Sequence, residues 1–152
     1  MAWRKPTVRD LAATLNQSEI DQYRKAPDFC SGADPAEDLV ERTAEFVRGF
    51  IRDGARHNRR VSMSPERCAL PESLISKAMD YAAFDILKRI NMDPGESRKE
   101  ARRSAEEFFA KLASGEYTPE PYDPDSESEG GSSGLALPQF GEGRKKILNG
   151  YL

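Results

Sequence analysis

Three long stretches of this chain carry apolar residues at steps of three and four positions, and this spacing restricts the chain to helical folds. The stretches cover residues 35–57, 71–92 and 94–114. Residues spaced in this way share one face of an α-helix, whereas a half-buried strand alternates at every second position. The three predicted faces consist of Leu39, Val40, Ala44, Val47, Phe50, Ile51 and Ala55; of Leu74, Ile75, Ala78, Met79, Ala82, Ile86, Leu87 and Ile90; and of Ala101, Ala105, Phe108, Phe109 and Leu112. We therefore predict an all-α fold, a small helical bundle with little or no sheet.

Residues with strong positional preferences mark where the helices begin and end. Thr7 is predicted to cap a short helix over residues 7–15, and Ser18 to start a second one over residues 18–24. Asp34 followed by Pro35 is a strong start signal for the first long helix, because proline suits the first helical position. Gly115 suits the end of the last helix, where a left-handed residue is usual.

The composition divides the 152 residues into one body and a two-part tail. Residues 1–115 are charged but periodic, and form the predicted bundle. Residues 116–134 are rich in Pro, Ser, Gly, Asp and Glu and hold no basic residue, so we predict a flexible, extended linker. Residues 135–152 are again apolar in part. We predict that this segment docks onto a partner through Leu135, Leu137, Phe140, Ile147, Leu148, Tyr151 and Leu152, the alternative being a frayed terminus.

The composition also argues against several classes of protein. A net charge of −3 does not suit a cationic DNA-coating protein, and no apolar run reaches the ~18 residues that a membrane span requires. The only histidine is His57, and Cys30 and Cys68 lie far apart without metal-ligand spacing. The carboxylates stand at helix starts or beside arginines, as on a solvated face. We expect no enzymatic activity, no cofactor, no metal and no membrane partner.

Two basic clusters are candidates for contact with phosphates or with an acidic neighbouring subunit. The first consists of Arg52, Arg56, Arg59 and Arg60, and the second of Arg98, Lys99, Arg102 and Arg103. Both are flanked by acidic residues, which weakens their field. Contact with protein, or simple solvation, is therefore favoured over tight binding of a duplex.

The body resembles a phage family, the Mu-like prophage head–tail connector proteins, over residues 7–117. The resemblance is carried by the short helix at Thr7–Leu15 and by three stretches, AEFVRGFIRDGARHNRR, ALPESLISKAMDYAAFDILKR and SAEEFFAKLASGEY. The chain departs from the family's pattern at Phe50 and Phe84, where the family tends to have Tyr, and the loop over residues 59–71 is longer and more charged.

This resemblance implies a structural role in a virion. The protein would form a ring of identical copies, often twelve-fold, beneath the portal of a tailed phage. The ring would extend the DNA channel and join the head to neck or tail proteins. Its partners would be the portal, onto which the segment over residues 135–152 would dock, the neck or tail, further copies of itself and, transiently and without sequence preference, double-stranded DNA. It would assemble in the cytoplasm of the bacterial host and reside at the head–tail junction.

A small helical DNA-binding regulator is the alternative function. In this hypothesis the helices of residues 7–24 form a helix-turn-helix. The reading helix of such a motif needs Arg, Lys, Asn or Gln on its outer face. Residues 18–24 offer only Gln22 and Arg24, with Lys25 beside them.

Overall fold

A computed structural model describes residues 2–25 and 34–127. In chain order, its elements are β1 (Trp3–Arg4), α1 (Val8–Ala12), α2 (Gln17–Arg24), α3 (Pro35–His57), β2 (Leu70–Pro71), α4 (Glu72–Arg89), α5 (Gly95–Ser114) and a 3₁₀ turn at Pro124–Glu127. The predicted small, mostly helical bundle is confirmed. The residues of the predicted docking segment, 135–152, lie outside the described parts of the chain.

The two short helices are capped by side chains that reach back to the helix start. Asp10 accepts a hydrogen bond from the backbone N–H of Thr7 at 2.7 Å, as the sequence predicts for a helix starting there. In α2, Glu19 accepts from the backbone N–H of Asn16 at 2.9 Å, so Asn16 is the N-cap and the predicted start at Ser18 is wrong by one residue. The first helix also ends earlier than predicted, at Ala12.

The long helices follow the predicted boundaries closely. The Asp34 side chain accepts from the backbone N–H of Ala36 at 3.0 Å and α3 begins at Pro35. Gly115 ends α5 with φ 79°, a left-handed conformation that glycine adopts without steric cost. The apolar faces of α3, α4 and α5 meet in one core, and its largest fully buried side chain is Phe109.

The N-terminus and the loop before α4 are joined by a very short sheet. β1 pairs antiparallel with β2, with Trp3 opposite Pro71. Arg48, a buried residue of α3, donates to the carbonyl of Ala69 at 2.7 Å and to that of Ser64 at 2.8 Å. An arginine in the middle of α3 therefore holds the loop rather than facing solvent.

The packed body extends beyond the position at which the predicted linker begins. Tyr117 lies against Phe108, with ring centroids 4.7 Å apart, and the Trp3 indole N–H donates to the carbonyl of Glu120 at 2.9 Å. The backbone N–H of Tyr122 donates to the carbonyl of Ser62 at 2.9 Å. The compact unit ends at Tyr122, seven residues after Gly115, because two tyrosines and one backbone carbonyl of this segment find partners in the bundle.

Candidate functional site

The basic cluster of α5 is paired with carboxylates throughout. Each of its four side chains has a carboxylate oxygen within 3.2 Å. The pairs are Arg98 with Glu19, Lys99 with Glu96, Arg102 with Asp85, and Arg103 with Glu100. Their charge is therefore largely compensated inside the body, and these residues are poorly placed to attract phosphates.

Arg102 is the most enclosed member of that cluster. Its side chain is 17% exposed and donates to Asp85 at 2.9 Å and to Glu106 at 3.0 Å. The guanidinium carbon lies 3.7 Å from the centroid of the Tyr81 ring and 4.9 Å from that of Phe84. A planar cation stacked on two rings and held by two carboxylates joins α4 to α5.

Arg98 joins α5 to the short helix α2. Its two terminal nitrogens donate to Glu19 at 3.0 and 3.2 Å, and Glu19 is buried. Burial raises the pKa of Glu19, but the hydrogen bonds from Arg98 and from the backbone of Asn16 outweigh it and leave the pKa below its ordinary value. Like Arg102, Arg98 therefore holds two helices together.

The basic cluster at the end of α3 is exposed and almost without partners. We call Arg52, Arg56, Arg59 and Arg60 the basic end. Arg56 lies 3.8 Å from Asp53, and its side chain is 77% exposed. The other three arginines are exposed and form no ion pair with any residue that the structure describes. At least three guanidinium groups are thus available to a partner.

Asn58 holds the turn that presents Arg59 and Arg60. Its backbone N–H donates to the carbonyl of Gly54 at 3.1 Å, and its side-chain oxygen accepts from the backbone N–H of Arg60, also at 3.1 Å. Its side-chain nitrogen donates to the hydroxyl of Thr118 at 3.0 Å. The turn is therefore anchored both to α3 and to the segment that follows α5.

Two glycines allow the C-terminal ends of α3 and α5 to lie side by side beneath the basic end. A Cβ on Gly54 would lie 2.1 Å from the backbone oxygen of Leu112, and one on Gly115 would lie 2.9 Å from the Cβ of His57. The position of His57 and Arg56 at a helix C-terminus suits the helix dipole. Arg59 and Arg60 lie beyond the helix, where the dipole does not account for them.

A second surface feature is an aromatic face across α3, α4 and α5. Phe46 is 46% exposed, and its ring stacks on Tyr81 with centroids 5.3 Å apart. It also meets Phe50 edge to face at 4.9 Å, and Phe50 stacks on the buried Phe109 at 5.5 Å. A continuous series of rings therefore leads from the core to the surface.

Sequence reasoning missed this face, although a signal was present. Phe46 lies seven positions after Leu39 and four before Phe50, so it extends the edge of the predicted apolar face of α3. An apolar face that is widened at its edge can leave a contiguous apolar patch at the surface, and such a patch is a sign of a contact surface.

The remaining candidates that lie within the described residues show no arrangement that suggests chemistry. Cys68 is buried, and burial raises the pKa of its thiol, which keeps it protonated at neutral pH. Cys30 lies outside the described residues. No group of three or more metal-binding side chains occurs in residues 2–25 and 34–127, and no described helix is long and apolar enough to cross a membrane.

No family model, no curated protein and no solved structure matches this chain.

Proposed function

We propose that this protein is a structural head–tail adaptor of a tailed phage, which forms a ring beneath the portal, extends the DNA channel and joins the head to the neck or tail. The proposal combines the resemblance over residues 7–117 with one observation, the aromatic face around Phe46. In this proposal the aromatic face is the contact between neighbouring copies.

The aromatic face has the properties of an interface centre. Fully burying a Phe side chain stabilises a structure by about 1.5–3 kcal/mol, and nearly half of the Phe46 surface is still exposed to water. Tyr81 and Arg102, which lie in the same stack, belong to residue types that often dominate binding energy. Because the rings are held by the core through Phe109, little conformational entropy remains to be lost on association.

Oligomeric state tests this proposal. We expect the purified protein, alone or with its portal protein, to assemble into closed rings that sedimentation velocity and negative-stain images reveal. Phe46→Ser should prevent ring formation, because it removes the half-exposed aromatic side chain while the buried Phe109 stays in place. Met92→Ser is the matched control, since Met92 is another large apolar residue exposed at the surface, at 38%.

Two results would overturn the proposal. One is a wild-type protein that remains monomeric both alone and with the portal. The other is a Phe46→Ser variant that assembles as well as Met92→Ser does, which would remove the aromatic face from the contact between copies.

The DNA-binding regulator receives less support. Arg24, the main cation of the predicted reading helix, donates to Asp34 at 3.0 and 2.8 Å. The other two residues offered for reading, Gln22 and Lys25, are exposed, and only Lys25 carries a charge. Nanomolar, sequence-dependent binding of a duplex at physiological salt would nevertheless favour the regulator over the adaptor.

A further inference from the structure

We infer that the basic end binds the phosphate backbone of double-stranded DNA without reading its sequence. The inference deepens the proposed function, since a ring that passes DNA needs a surface that the duplex can touch. Its test does not require a ring.

Uncompensated charge is the first argument. Residues 52–60 hold four arginines and a single carboxylate, and only Arg56 lies near that carboxylate, Asp53. Gly115 lies against His57, so Glu116, which follows it, adds one exposed carboxylate close to this end of the bundle. The basic end therefore has a net positive charge on a body whose other basic cluster is paired.

The chemistry of the side chains is the second argument. A guanidinium group presents a planar fork of N–H donors that matches a phosphate or carboxylate in two-point contact. Arg52 and Arg56 are one helical turn apart, with Cβ atoms about 5–6 Å from each other. Arg59 and Arg60 follow in a turn that Asn58 anchors at two points. The donors are thus held on a firm backbone, although each side chain remains exposed.

The state of the acidic residues elsewhere in the body favours phosphate over a second copy of the chain. Three of the four carboxylates on the first half of α3 are engaged by cations of the same molecule, Asp38 by Arg42, Glu41 by Lys5 and Glu45 by Arg67, and only Glu37 has no ion pair within the described residues. A neighbouring copy would therefore offer few free carboxylates on that helix. A nucleic acid duplex offers one negative charge for about every 1.7 Å of its length.

The position of the arginines favours contact with the backbone rather than with bases. Sequence is read by side chains that an inserted helix or strand brings to the base edges. The basic end is instead the C-terminal end of a helix and the turn that follows it, packed against the end of α5. Contacts from such a surface reach phosphates and carry no sequence information.

The test compares two double variants that alter the net charge equally. Arg59→Ala/Arg60→Ala removes two cations that form no ion pair within residues 2–25 and 34–127, and Lys99→Ala/Arg103→Ala removes two exposed cations that carboxylates already compensate. Binding of the full-length proteins to two short duplexes of unrelated sequence is followed by fluorescence anisotropy from low to physiological salt.

We expect the wild type to bind both duplexes alike, with an affinity that falls as salt rises. Arg59→Ala/Arg60→Ala should weaken binding at low salt and reduce the slope of log K against log salt by about 2, since each phosphate contact contributes about 0.9 to it. The Lys99→Ala/Arg103→Ala protein should keep the wild-type slope.

Three results would overturn the inference: no binding by the wild type at low salt, equal losses in both variants, or a clear preference for one duplex. Sedimentation of the same samples separates this inference from the proposed function. A Phe46→Ser protein that is monomeric but still binds duplex through Arg59 and Arg60 supports both. Rings that bind no duplex overturn only the present inference.

Discussion

The basic end of α3 and the basic cluster of α5 have similar compositions and different environments. On α5, carboxylates stand three or four positions from most of the cations, as with Glu96 and Lys99 or Arg102 and Glu106, so the charges are compensated along the helix itself. Around the basic end the only such carboxylate is Asp53. The charge that a sequence contains therefore differs from the charge that the folded surface presents.

The largest effect is expected from the glycine on which the basic end depends. Gly54→Ala should lower the free energy of unfolding by about 3 kcal/mol or more, because its methyl group would overlap the Leu112 carbonyl and force α3 and α5 apart. Urea unfolding measures the loss.

Gly49→Ala is the matched control on the same helix. A Cβ there would meet nothing within 4 Å, so replacing this helical glycine should raise stability by about 0.5–1 kcal/mol. Equal effects of the two substitutions would show that α3 and α5 do not approach as closely as described.

Loss of the stacked arginine of α5 is expected to have the next largest effect. Arg102→Ala should cost about 2–3 kcal/mol in urea unfolding, because it removes bonds to Asp85 and Glu106 together with the stack on Tyr81. Arg102→Lys should recover only part of this, since an ammonium group cannot stack as a plane. If Arg102→Ala leaves the free energy of unfolding unchanged, the structural role of this cluster is contradicted.

The pair between α5 and α2 should give a smaller, pH-dependent effect. At pH 7, Arg98→Ala should cost about 1–2 kcal/mol, because it leaves the buried Glu19 without its cation. The folded-state pKa of Glu19 is lowered, so its stabilising contribution is present above its unfolded pKa of about 4.3 and is lost as the pH falls through the folded value.

The difference between wild type and Arg98→Ala should therefore shrink in acid, when unfolding is measured across this pH range. Arg103→Ala is the control, since both partners of its ion pair with Glu100 are about two-thirds exposed. It should change stability by less than about 0.5 kcal/mol at any of these pH values. If the difference in free energy of unfolding between wild type and Arg98→Ala stays the same in acid, the loss of stability comes from packing rather than from charge.

The smallest effect on stability is expected at the basic end itself. Arg59→Ala/Arg60→Ala should alter the free energy of unfolding by no more than about 0.5 kcal/mol, since neither side chain has a partner within the described chain. A loss of more than 1.4 kcal/mol, a factor of about ten in the folding equilibrium, would mean that these arginines serve the fold and not a surface contact.

Most of the secondary structure could be predicted from local patterns. The start at Asp34–Pro35, the left-handed end at Gly115 and the buried faces of the long helices depend on residues within a few positions of each other. The sequence-based predictions were weaker where the structure of a segment depends on residues that are distant in the sequence. Residues 117–122 have the composition of a linker, yet Trp3 and Ser62 hold them against the body.

The candidate surfaces, too, have features that the sequence shows and features that only the folded chain shows. The sequence contains both basic clusters, and the acids along α5 already indicate that its cluster is partly compensated. Glu19 and Asp85, however, lie 79 and 17 positions from their arginines, so only the folded chain identifies them as partners. The exposure of Phe46 likewise depends on how three helices pack.

The helical body, the helix caps and the number of charged residues follow from the sequence, because helix periodicity and capping depend on neighbours within about one turn. Tertiary packing determines which cations remain unpaired among the described residues, which aromatic ring faces water and where the body ends. These properties depend on side chains that are distant in sequence and that only packing brings within contact of each other.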